Sequence, residues 1–155
     1  MAETAMAEVQ VPLDKPPGWA NAWMIWALKT PGIQRMVGQG VALLSFTGRR
    51  SGNPYTIPVS YHREADVVTV ITKRPRKWWH NFESPTEVEL RLAGETYAGR
   101  AEIWSDQEEA VDFMTEYLKK RPVDARAYGL AKDERVREKI AKIVPQLVLI
   151  RIDLA

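Results

Sequence analysis

A planar guanidinium presents paired donors that match a phosphate or a carboxylate. Two stand side by side in Thr47-Gly48-Arg49-Arg50-Ser51-Gly52-Asn53-Pro54. The glycines let the backbone turn tightly and expose N–H groups, and Ser51 adds a hydroxyl. The segment reads as an anion cradle. The competing reading is a polar hairpin turn with solvated arginines. It is not a nucleotide P-loop, because G-x-x-x-x-G-K-[ST] is absent, and G-x-G-x-x-G occurs nowhere in the chain.

A second cluster is Lys73-Arg74-Pro75-Arg76-Lys77-Trp78-Trp79-His80-Asn81. Cations beside large aromatic planes suit a ligand that is both anionic and aromatic. The alternative is a basic surface turn with at least one of the two tryptophans in the core. A third feature is Trp19, Trp23 and Trp26, which share one face of a helix. They either dock that helix on the fold, cap a pocket, or touch a membrane surface.

No nucleophile–base pair stands out. Ser45, Ser51 and Ser60 lack the G-x-S-x-G setting of a hydrolase. There is no Cys, and His62 and His80 are the only histidines, which disfavours disulfide, thiolate-metal, iron–sulfur and histidine-rich zinc chemistry. Glu87 and Glu89 share one strand face and read as a solvated face rather than an acid pair.

The elements that position these residues follow from pattern. Residues 1–17 read as a flexible leader, with Pro12, Pro16 and Pro17. A Trp-rich helix over 19–29 follows, and a turn of helix resumes over 33–37. Strands are predicted at 41–46, 55–61, 67–72, 87–92, 96–104 and 147–152. Pro58 marks the second strand as an edge or a bulge. A short helical turn covers 77–83. Ser105-Asp106-Gln107-Glu108 reads as a capping box opening a helix that buries Ala110, Met114, Tyr117 and Leu118. Asp133 would cap another helix with Val136, Ile140, Ile143 and Val144 inward. The fold class is α+β, a small split β-barrel of about six mostly antiparallel strands with helices packed outside. Residues 18–155 form a single domain.

The chain of 155 residues has a globular balance of 45% hydrophobic and 27% charged residues. Its net charge of +2 hides an asymmetry: residues 15–82 carry ten Lys or Arg against Glu64 and Asp66. A folded basic surface there attracts anions. Nucleic acid is not the expected partner, because the tryptophans sit on apolar patterns rather than interleaved on a strand face. The longest strongly apolar stretch, Trp19 to Leu28, is too short for a membrane span. With no basic secretion signal at the N-terminus, the expected location is cytoplasmic, with a peripheral membrane contact through Trp19, Trp23 and Trp26.

From about Val41 to Trp104 the chain resembles the deazaflavin-dependent nitroreductase-like family of split barrels. The resemblance rests on Leu43–Phe46 followed by Thr47-Gly48-Arg49-Arg50-Ser51-Gly52, on Tyr55-Thr56-Ile57-Pro58-Val59, on Val70-Ile71-Thr72-Lys73, and on Trp78-Trp79-His80-Asn81-Phe82. It implies binding of coenzyme F420, a deazaflavin with a phosphate-linked polyglutamate tail. By the same analogy Arg49, Arg50 and Ser51 hold phosphate or tail carboxylates. Tyr55, Thr56 and Ile57, with Val70, Ile71, Thr72 and Lys73, line the ring and its linker. Lys77, Trp78, Trp79, His80 and Asn81 close the other side.

The implied activity is hydride transfer to a hydrophobic quinone-like or unsaturated substrate, in a chain that can pair as a homodimer. The cofactor supplies the hydride, so a missing catalytic dyad is expected. The alternatives are an FMN-binding barrel and a non-catalytic carrier of a fatty acid or other apolar ligand. The chain departs from the family pattern where Arg74-Pro75-Arg76 replaces a longer Gly-rich loop, and where Trp79 stands for Tyr.

Overall fold

The computed structural model describes residues 40–131 and 136–155, together with the helical residues Ala22, Ile25, Trp26 and Lys29. The predicted leader, Trp19, Trp23, the helical turn over 33–37 and the capping Asp133 lie outside the described residues. Trp26 is 55% exposed. The chain divides into two compact units. The larger takes in Lys15–Ile71, Trp78–Ile103 and Leu149–Ala155, and the smaller takes in Thr72–Lys77 and Trp104–Val148.

Six strands close into a barrel: β1 (Val41–Thr47), β2 (Pro54–Glu64), β3 (Val67–Lys73), β4 (Thr86–Leu92), β5 (Glu95–Ile103) and β6 (Leu147–Leu154). Their order around the barrel is β1-β2-β3-β6-β5-β4, with β4 pairing back onto β1. The neighbours β1–β2, β2–β3, β4–β5, β5–β6 and β1–β4 all run antiparallel. The fold class is the α+β small barrel expected from the sequence.

β2 is where the barrel divides its pairing. Residues 54–60 face β1, with Pro58 opposite Leu43, whereas Tyr61 to Glu64 face Val70 to Val67 of β3. Pro58 thus sits in a half-strand bonded along one side. That is how an 11-residue strand tolerates a residue with no N–H.

The turns follow from backbone chemistry. Ala93 and Gly94 both have positive φ, 49° and 87°, which is the two-residue type I′ pattern that suits right-twisted strands. β4 alternates as its sequence demands: Glu87 and Glu89 are exposed, while Val88, Leu90 and Leu92 are buried. The core of the larger unit adds Ala42, Leu44, Phe46, Val68, Val70, Ala101, Ile150 and Ile152. β5 and β6 approach closely at Gly99, where a Cβ would lie 2.8 Å from Ile152 Cγ2.

The smaller unit holds α1 (Gln107–Lys120) and α2 (Arg137–Ile143). α1 buries the expected stripe of Ala110, Met114, Tyr117 and Leu118, together with Val111. Its cap lies one residue later than predicted. Asp106, not Ser105, accepts the Glu109 N–H at 3.1 Å. Asp106 and Glu109 repeat the same spacing as Ser105 and Glu108, and a carboxylate is the stronger acceptor. In α2, Ile140 and Ile143 are buried, and so is Val144, which caps its end. The expected inward Val136 is instead 50% exposed, because it is the extended cap residue before the helix starts.

One predicted ligand cation has a structural task. Arg74 Nε donates to the Pro145 carbonyl at 2.8 Å and Nη2 to the Leu147 carbonyl at 3.1 Å. Its own N–H donates to the Gln146 carbonyl at 2.9 Å. Arg74 therefore clips the short loop after β3 to the entry of β6. Arg74→Ala should lower stability by about 1–2 kcal/mol, the sum of two charge-assisted bonds discounted for solvent exposure. Arg74→Lys should not recover it, since one ammonium cannot reproduce the fork. Thermal denaturation of the three proteins checks this.

Candidate functional site

The larger unit brings two of the predicted segments together. The first is the loop between β1 and β2. Gly48 N–H donates to the Asn53 carbonyl at 2.8 Å and Gly52 N–H to the Gly48 carbonyl at 2.9 Å, with Gly52 at φ +71°. Ser51 Oγ accepts the Asn53 N–H at 3.1 Å and lies 3.2 Å from the Tyr55 hydroxyl. A Cβ at Gly48 would fall 2.6 Å from Tyr55 Cε2 and 2.7 Å from Ser51 Oγ, so only glycine lets the loop close this tightly. Several of the amides expected to face a ligand are thus engaged within the loop. Arg49, Arg50 and Ser51 present their side chains at the surface.

The second segment is the 3-10 turn Trp78–Phe82. Arg49 N–H donates to Asn81 Oδ1 at 2.8 Å, and Asn81 Nδ2 donates to the Trp78 carbonyl at 2.8 Å. The amide of Asn81 therefore ties the arginine loop to the turn. Arg49 Nη1 pairs with Glu83 Oε2 at 3.2 Å, while Glu83 Oε1 lies 2.5 Å from His80 Nδ1. The hydrogen bond from His80, then that from Arg49, holds the Glu83 carboxyl below its usual range. Its contribution to stability is therefore complete above the ordinary carboxylate range. It fades as pH falls through the lowered folded value. An NMR titration should show the Glu83 carboxyl still ionised as pH falls below the ordinary glutamate range.

Aromatic rings back the polar rim. Phe46 stacks on Tyr55 at 5.8 Å and meets Phe82 edge-on at 5.0 Å, and Trp78 meets Phe82 edge-on at 6.1 Å. Trp79 is buried and stacks on His80 at 3.8 Å, while Trp78 is half-buried. One tryptophan of the pair is core, as expected, and the other is partly accessible.

The remaining predicted residues are distributed as follows. Tyr55 is 44% exposed, and Thr56 and Ile57 are half-buried on β2, with Thr56 Oγ1 2.9 Å from Ser45 Oγ. Val70 is buried and Ile71 half-buried on β3. Thr72, Lys73 and Lys77 belong to the smaller unit: Thr72 is buried, Lys73 half-buried and Lys77 exposed. In that unit Tyr117 donates to Asp124 Oδ2 at 2.7 Å, and burial pushes the Tyr117 and Tyr128 hydroxyls well above their ordinary pKa.

Sequence reasoning missed Glu83, Phe46 and Phe82 as parts of this cluster. Glu83 stands three residues after His80, the spacing at which side chains on one helical turn meet, and that signal was present.

The fold has solved counterparts. The heme storage protein HutZ from Vibrio cholerae superposes with a TM-score of 0.53 at 11% identity, over 75% of this chain and 82% of that one. An F420-H2 dependent reductase, FDR-A, gives 0.50 at 14% identity, over 74% and 95%. A domain-swapped dimer gives 0.50 at 13% identity, over 85% and 93%. At these identities the likeness is one of fold. No curated protein sequence matches the chain.

The profile of the F420H(2)-dependent quinone reductase family matches residues 20–139, and the chain belongs to that family. It is an F420-dependent oxidoreductase, and its cofactor is F420. The donor set fits such a group. Two exposed guanidiniums and a hydroxyl suit phosphate and carboxylates, and a half-buried indole beside them offers a flat apolar surface.

Proposed function

We propose that the chain binds F420 at the Arg49–Ser51 loop and the Trp78–Phe82 turn and reduces a hydrophobic quinone-like or otherwise unsaturated substrate. The observation that carries the reading is the 2.8 Å bond from the Arg49 amide to Asn81, which holds a cationic loop and an aromatic turn side by side in one unit. When bound, F420 in its reduced form supplies the hydride.

The chain's own residues bind and orient. Arg49, Arg50 and Ser51 take the anionic groups. Tyr55, Thr56 and Ile57 flank the loop on β2, and Val70 and Ile71 on β3 support the ring side. Trp78, His80 and Asn81 bound the opposite side, with Trp79 fixed beneath His80. Thr72, Lys73 and Lys77, the remaining residues of the expected set, lie in the smaller unit. An exposed Trp26 supports a peripheral contact with a lipid surface, from which an apolar substrate would be drawn. No helix among the described residues is long and apolar enough to cross a membrane. The dimeric fold neighbour supports pairing of two copies.

Titration of the purified protein with F420, followed by tryptophan fluorescence, tests the reading. Quenching at micromolar F420, with FMN and a fatty acid much weaker, supports it. Preference for FMN or retention of an acyl chain would replace it with a flavin barrel or a lipid carrier.

A further inference from the structure

Arg49, central to the anion-binding reading above, already has an anion. Glu83 Oε2 lies 3.2 Å from its Nη1, and the other oxygen of the same carboxylate is held by His80. The carboxylate is thus anchored at both oxygens. It comes from a turn that Asn81 fixes to the Arg49 backbone. Both partners are substantially exposed, 40% for the Arg49 side chain and 42% for Glu83, so the pair is exchangeable rather than locked in the core. A carboxylate tethered this way competes at high effective concentration with any anion arriving from solution. It also sets a negative charge a few ångströms from the place where a ligand's phosphate or carboxylate would sit.

We propose that Glu83 is a specificity-determining residue of this site, the resident carboxylate that an incoming anionic group must displace from Arg49. The inference rests on the proposed binding role of the Arg49 loop. Displacement leaves Glu83 on His80, so the carboxylate does not lose its only partner. A ligand with several negative charges can engage Arg50 and Ser51 first and then take Arg49. A singly charged anion gains too little from Arg49 alone to move the carboxylate. Glu83 therefore filters for polyanions, while His80 and Asn81 keep the loop and turn aligned during the exchange.

The test compares wild type, Glu83→Gln, His80→Gln and Arg49→Ala by tryptophan fluorescence. The titrants are F420 and, separately, inorganic tripolyphosphate and acetate, at about 0.02 M and about 0.3 M salt. Glu83→Gln keeps an acceptor for Arg49 but removes the charge. It should tighten F420 and tripolyphosphate roughly three- to tenfold at low salt, with a smaller gain at high salt. It should also bring acetate binding into range. His80→Gln, which leaves Glu83 wholly to Arg49, should weaken F420 roughly two- to threefold, and Arg49→Ala should abolish the gain from Glu83→Gln. Circular dichroism melts establish that each variant is folded, and the His80 variant carries the test if Glu83→Gln is not. If wild type binds F420 and Arg49→Ala weakens it, but Glu83→Gln binds F420 no better, the inference is overturned and the functional reading stands. If wild type binds no F420, both fall.

Discussion

Replacing Arg49 and Arg50 together by Ala should weaken F420 binding by about 2–4 kcal/mol, roughly 30- to 900-fold. The range takes each charge-assisted contact at its usual worth and discounts it for exposed guanidiniums. The two shares should be unequal. Arg49 is already paired with Glu83, so its contact with a ligand replaces an existing one, whereas Arg50 gains a partner outright. Arg50→Ala should therefore cost more than its neighbour when Glu83 is intact. Affinity measured by isothermal titration at two salt concentrations separates these terms, since the charge part shrinks with screening. An unchanged affinity in the double variant would move the cofactor away from this loop.

The barrel was legible where one physical rule governed each residue. β4 is written in period two, with Glu87 and Glu89 wet and Val88, Leu90 and Leu92 buried. β3 is mostly Val and Ile, and four of its seven residues are buried. Pro58 pointed to a missing partner, and β2 does change partners near that point. Misreadings arose where two residues could serve one role. Ser105 and Asp106 both fit a helix cap, and acceptor strength, not spacing, selects Asp106. Val136 follows the apolar spacing of α2 but precedes its first turn.

The candidate site was legible as chemistry and much less as geometry. Both halves, the paired arginines and the Trp78–Asn81 segment, stood out by residue type. Their join depends on contacts between residues 32 and 34 apart in the chain, Arg49 with Asn81 and with Glu83, which no local pattern encodes. Arg74 shows the same limit from the other side. It looked like a ligand cation beside Lys73 and Lys77, but its guanidinium reaches a carbonyl 71 residues away.

Phe82→Ala should destabilise the protein by about 3–5 kcal/mol, lowering the melting temperature by roughly 6–20 °C. Phe82 is fully buried, and its ring meets both Phe46 of β1 and Trp78 of the turn edge-on. Truncation removes a large apolar surface and leaves a cavity between a barrel strand and the turn that bears Asn81. The cost reaches the site as well. Asn81 and Glu83 flank Phe82 in sequence, and each bonds Arg49, so the ring anchors the residues that hold the arginine loop. Phe82→Leu separates the two effects. It keeps most of the apolar volume and should cost only about 1–1.5 kcal/mol of stability. It loses the edge-on contacts that fix the orientation of the turn. F420 affinity should therefore fall several-fold in Phe82→Leu under conditions where the protein is fully folded. Equal affinity at equal foldedness would mean that Asn81 and Glu83 position Arg49 without help from the ring. The link between core packing and anion binding would then be confined to stability.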